Sequence, residues 1–124
     1  FVVTGLCEIT LMIGEVTSVF ATISSMSINT STNSSIIAAS TDVTTSVSGT
    51  LFVVTGDPDD GLNGDATGGT RSVDLAVRKT GFNAPFYIND DNIYMNLNTT
   101  GTGLITWTVF YRPLEASASI ASAA

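Results

Sequence analysis

The densest group of side chains able to do chemistry is Gly56-Asp57-Pro58-Asp59-Asp60-Gly61-Leu62-Asn63-Gly64-Asp65. Its carboxylates, Asp57, Asp59, Asp60 and Asp65, are hard oxygen ligands of the kind calcium takes. Tested against the EF-hand loop, the spacing fails. Counting from Asp59, position 3 is Gly61 and position 12 is Thr70, so one ligand and the bidentate glutamate are missing. Gly, Asp and Pro at this density serve turn geometry. The stretch therefore reads as a solvated loop, with Asp57, Asp59, Asp60 and Asp65 as weak calcium candidates and no metal assigned.

A second acidic cluster is Asn89-Asp90-Asp91-Asn92. Glycoside hydrolysis needs two carboxyl groups flanking one bond, whereas adjacent residues on a strand point to opposite faces. Asn and Asp tolerate positive φ, so these four residues read as a tight hairpin turn. Nucleophilic chemistry has little to use. The chain holds no histidine and one cysteine, Cys7, and Gly-x-Ser-x-Gly and the phosphate-loop pattern are both absent. Cys7 alternates with Ile9, Leu11 and Ile13, which predicts a buried thiol. Trp107, Tyr111, Tyr94, Phe86 and Tyr87 offer a sugar-stacking platform or core packing, and the alternating strand around Trp107 favours the core. No catalytic residue, enzyme activity or cofactor is expected.

Composition narrows the partners. Four Lys and Arg against eleven Asp and Glu among 124 residues give a net charge of −7. A protein that tracks phosphates needs a basic face, so no nucleic-acid partner is expected. The charge-free run over residues 16–41 is longer than a membrane span requires, but Ser, Thr and Asn interrupt it throughout and no membrane partner follows. A single cysteine excludes an internal disulfide.

The elements that must position these residues are strands. Period-two alternation runs through residues 6–13, with Cys7, Ile9, Leu11 and Ile13 on one face and Leu6, Glu8, Thr10 and Met12 on the other. Gly14 and Glu15 predict a break before a second strand over 16–23. Further strands are expected at 36–39, 43–48 and 50–55 (or one strand kinked at Gly49), 72–79, 86–88 and 93–97. The clearest is 104–112. Ile105, Trp107, Val109 and Tyr111 face one way and Leu104, Thr106, Thr108 and Phe110 the other, which suggests core on one side and a subunit contact on the other. These elements predict an all-β fold: an antiparallel, jelly-roll-like β-sandwich of about seven to nine short strands. Residues 1–115 form the single domain, and the Ala/Ser-rich tail 116–124 is left open as helical, extended along a neighbour or disordered.

Three stretches resemble segments of small virion proteins of tailed phages. The run 99–115, with its Thr-Gly turn, its strand with Trp107 and then Tyr111-Arg112-Pro113-Leu114 before the Ala-rich end, resembles their C-terminal pattern. Ile13-Gly14-Glu15-Val16-Thr17-Ser18-Val19 resembles the Gly-Glu-Val-Thr segment after their first strand, and Thr50-Leu51-Phe52-Val53-Val54-Thr55-Gly56 their central strand. The resemblance implies a capsid decoration (cement) or head-fibre protein on the capsid surface of a virion. Its implied partners are the major capsid protein and further copies of itself, a trimer by analogy. On that basis Leu104, Thr106, Thr108, Phe110 and Arg112 are the candidate interface. The alternatives carried beside it are a tail or fibre component and a secreted carbohydrate- or calcium-binding β-sandwich module.

Overall fold

Branched side chains at alternate positions favour extended backbone, and most of the described residues follow that preference. The computed structural model describes residues 1–32, 35–44, 46–59, 62–64 and 85–123. Among them are ten strands: β1 (Val2–Thr4), β2 (Leu6–Ala21), β3 (Ser25–Thr30), β4 (Ile36–Asp42), β5 (Leu51–Val53), β6 (Asn63–Gly64), β7 (Phe86–Asn89), β8 (Ile93–Leu97), β9 (Thr102–Pro113) and β10 (Ser119–Ala121). The expected strand over 72–79 lies outside the described residues, as do Asp60 and Asp65.

All strand pairings are antiparallel. The largest sheet is centred on β2. One edge of β2 carries β9 along almost its whole length, and the other carries β7 over Leu6–Ile9 and β5 over Ile13–Glu15, with β6 beyond β5. A second sheet runs β4-β3-β8, and β1 pairs with β10. The inner faces of the two larger sheets share one core. Cys7, Ile9, Met12, Val16, Phe20, Phe52 and Ile88 come from the first, and Met26, Ile28, Ile37, Ala38 and Ile93 from the second. The fold is all-β and sandwich-like, as the alternation predicts.

Several local expectations are corrected. Gly14 and Glu15 do not break a strand, because β2 runs unbroken through them. The alternation of β2 does not hold one phase. Ile9 pairs with Tyr111 and Leu11 with Phe110, so Thr10 is an extra residue, a β-bulge. Cys7 and Ile9 are buried, but beyond the bulge Met12, Gly14 and Val16 take the inner positions while Leu11 and Ile13 turn to the outer face. Two further register shifts follow, between Val16 and Ser18 and between Ser18 and Ala21, and at each the additional residue belongs to β2. Finally, residues 89–92 are not a hairpin. Asp90 does have positive φ, at 47°, but β7 pairs with β2 and β8 with β3, so the turn links two different sheets.

The Ala/Ser-rich end is extended and lies along its own chain: Ser119–Ala121 pairs with Val2–Thr4, and Ile120 packs against the core. The described residues of the expected strand over 43–48 lie in no strand, and Gly49, at φ 92°, forms a turn before β5 rather than a kink inside a strand.

The acidic turn is a structural clamp. Asp90 Oδ1 accepts from the Gly5 backbone N–H at 2.7 Å. Asp91 Oδ1 accepts from the backbone N–H of Thr32 at 2.8 Å and of Asn92 at 2.7 Å, and from the Ser31 hydroxyl at 3.0 Å. These donors, led by the Thr32 N–H, hold the Asp91 carboxyl well below the usual carboxylate range. A carboxyl depressed on folding adds stability above its unfolded pKa of about 4, and that stability fades as pH falls toward the folded value. D91N is therefore expected to melt several degrees below the parent at pH 7, with the gap narrowing as pH drops below about 4. Thermal melts across that range check it; an unchanged gap would show that charge is not what the clamp uses.

Candidate functional site

The strand that sequence reasoning singles out, β9, occupies a distinctive place. It pairs with β2, and among the described residues no strand pairs with its other edge. Its side chains alternate cleanly. Ile105, Trp107 and Val109 are half-buried against the core, while Leu104, Thr106, Thr108 and Phe110 are exposed on the outer face. Leu104 is 65% and Phe110 52% exposed.

Trp107 is held by an absence of side chain opposite it. Gly14 stands in cross-strand register with Trp107 on one side and with Phe52 on the other. A Cβ on Gly14 would lie 2.8 Å from both Ile105 Cδ1 and the Trp107 ring. The indole covers the glycine, an arrangement that restores packing where a central strand lacks a side chain. Trp107 also borders a mostly apolar cleft of about 100 Å³ between the sheets, with Met12, Ile28, Ile93 and Met95.

Backbone polarity along β9 follows from its neighbour. Met12 C=O accepts from Val54 N–H at 3.0 Å, Val16 N–H donates to Thr50 C=O at 2.9 Å, and Val16 C=O accepts from Gly49 N–H at 2.7 Å. Met12 and Val16 thus direct their backbone groups toward the β5 side of β2. Their partners on β9 are Val109 and Ile105. In an antiparallel ladder these are the non-hydrogen-bonded pairs, so Ile105, Trp107 and Val109 aim their own N–H and C=O groups at the edge away from β2.

The outer face continues onto β2 and β5. Leu11 lies beside Phe110, Ile13 beside Thr108 and Glu15 beside Thr106, and a shallow trough runs between Ile13, Glu15, Leu51, Thr106, Thr108 and Phe110. Leu11, Ile13 and Leu51 were not anticipated in this surface. The bulge at Thr10 put Leu11 and Ile13 there, and no residue type announces it.

Arg112 shares the outer face but is engaged. Its guanidinium donates to Glu8 Oε2 through Nε at 2.9 Å and also through Nη2, and the two residues are direct cross-strand partners. Glu8 is itself nearly buried, with Tyr87 in register on its other side. This pairing makes Arg112 a closure of the strand end more than a free contact group.

The remaining candidates are dispersed. Asp57 and Asp59 are exposed, and Asp57 Oδ1 accepts from the Asp59 backbone N–H at 3.0 Å, a local turn. Among the described residues no three acidic, Cys or His side chains are grouped to hold a metal. Cys7 is fully buried, and burial, then the charge of Glu115, raises its thiol pKa. Tyr87 stands on the outer face of the β2 sheet and Trp107 on the inner one, so the five aromatics do not form one platform. Among the described residues, no helix is long and apolar enough to cross a membrane.

What fold and surface define together is an all-β, sandwich-like protein in which the outer face of β9 from Leu104 to Phe110 carries no charge and is turned to solvent. Comparison with protein-family models, with curated proteins and with solved structures finds no match to this chain.

Proposed function

We propose that this chain is a structural virion protein of a tailed phage, a capsid decoration (cement) protein that binds the shell of major capsid protein and stabilises it. The observation that carries the reading is the outer face of β9, where Leu104, Thr106, Thr108 and Phe110 stand exposed on a strand anchored along its length to β2. A cement protein needs no reacting group. It needs a rigid frame and an apolar contact surface, repeated over a symmetric shell so that weak contacts add. The phage resemblance of the stretches around Gly14, Phe52 and Trp107 supplies the identity of the shell. All three lie in β2, β5 and β9, the strands that build this face.

The test is sedimentation of the protein with assembled capsids and with unassembled capsid subunits. Saturable binding to capsids alone is expected, with L104K/F110K losing about tenfold or more in affinity while keeping its melting temperature. No binding to capsids, or equal binding of the variant, would overturn the reading. A melting temperature that falls on chelation would favour the calcium-binding alternative.

A further inference from the structure

We propose that the free edge of β9 is the seam of a two-fold dimer, pairing antiparallel with the same edge of a second copy in the register that sets Trp107 opposite Trp107. Three observations lead there. The first is that, among the described residues, no strand covers this edge and nothing guards it. Natural sheets protect such edges with lysine, interior proline, bulges or inward charges. Between Thr102 and Pro113 the only charge is Arg112, already held by Glu8, and every register shift against β2 adds its residue to β2, so no bulge interrupts Leu104–Phe110.

The second is the direction of the backbone groups. Ile105, Trp107 and Val109 point their N–H and C=O groups at the edge. An antiparallel copy centred on Trp107 meets all of them. Trp107 pairs with Trp107, and Ile105 with Val109 in both senses, giving about six backbone hydrogen bonds.

The third is a palindrome. Outward from Trp107, the exposed face reads Thr106 and Thr108, then Leu104 and Phe110. In this register Thr106 faces the partner's Thr108, and Leu104 faces the partner's Phe110. These are the closer, non-hydrogen-bonded pairs, where aliphatic–aromatic and Thr–Thr neighbours stabilise a sheet most. An uncharged seam also suits a chain of net charge −7, whose copies otherwise repel.

The seam joins two outer faces into one continuous surface, and it stands apart from the virion reading. A dimer that ignores capsids would sink that reading alone, and a monomer that binds them would sink this one alone. Self-pairing of one edge gives dimers, so a three-fold contact would need another surface.

A contact of one strand is smaller than the roughly 1,200 Å² of a stable interface, so association is weak and concentration-dependent. Light scattering of the full chain from about 1 to about 500 µM is expected to show the mass doubling. T106K/T108K, which places introduced ammonium groups directly opposite one another, stays monomeric with an unchanged melt, and mixing it with T106E/T108E restores the dimer. In the parent, the amides of Ile105, Trp107 and Val109 exchange slowly at the high concentration and about tenfold faster at the low one. Those of Thr106 and Thr108, bonded to β2, stay protected at both. A monomeric mass throughout the range would overturn the proposal. So would a trimer alone, failure of the charge-complementary mixture to pair, or edge amides equally protected at both concentrations, since the last means that a segment of the same chain lies on the edge.

Discussion

Phe52→Ala is expected to lower the unfolding free energy by about 3–5 kcal/mol, the cost of removing a fully buried aromatic and leaving a cavity behind. Phe52 is fully buried and lies beside Gly14 in the middle of the principal sheet. Gly14 has no side chain that could swing into the space, so relaxation is limited and the upper part of that range applies. A domain of this size is stable by about 5–15 kcal/mol, so the loss is a large fraction of the whole. Urea titration of parent and variant measures it. A loss below about 1 kcal/mol would mean that the site collapses freely around the missing ring.

The second large effect comes from filling the opposite vacancy. Gly14→Val places a branched side chain where Ile105 Cδ1 and the Trp107 ring already lie within 2.8 Å of a Cβ position. Both neighbours are on β9; the end of the Ile105 side chain can turn aside, whereas the rigid Trp107 ring must shift as a unit, away from β2. Overpacking of this kind costs about 1–3 kcal/mol. Here it should also loosen β9, which the destabilisation of a remote site would not do. The expected signature is a blue- or red-shifted Trp107 fluorescence in the folded variant, together with faster exchange of the Thr106 and Thr108 amides. Gly14→Ala should show the same changes at smaller size. A variant with lowered stability but parental fluorescence and exchange would place the strain elsewhere.

Much of this architecture is written in period-two alternation, and β9 shows where such reading works. From Leu104 to Phe110 the alternation is uninterrupted, and the exposed set is the one the pattern predicts. Burial of Cys7 and positive φ at Asp90 were legible for similar reasons, since each depends on neighbours close in sequence. β2 shows where it stops. A bulge is a choice of hydrogen-bond register between two strands about a hundred residues apart, and Thr10 carries no mark of it. The phase error it introduces moved Leu11 and Ile13 from the predicted core to the outer face. Gly14 misled for a related reason: glycine is read as a breaker from local propensity, whereas here its place is set by Phe52 and Trp107 on neighbouring strands. Likewise, the four residues at 89–92 look the same whether they join strands of one sheet or of two, because turn chemistry is local and sheet membership is not.

The bulges have a mechanical consequence. Over the paired length, β2 carries three more residues than β9. Each extra residue bends β2 locally and increases its right-handed twist, so the shorter strand lies on the inside of the bend. β9 is that shorter strand. Its backbone is already extended and fixed against β2, so whatever aligns with it meets a template whose conformational entropy was lost when the domain folded.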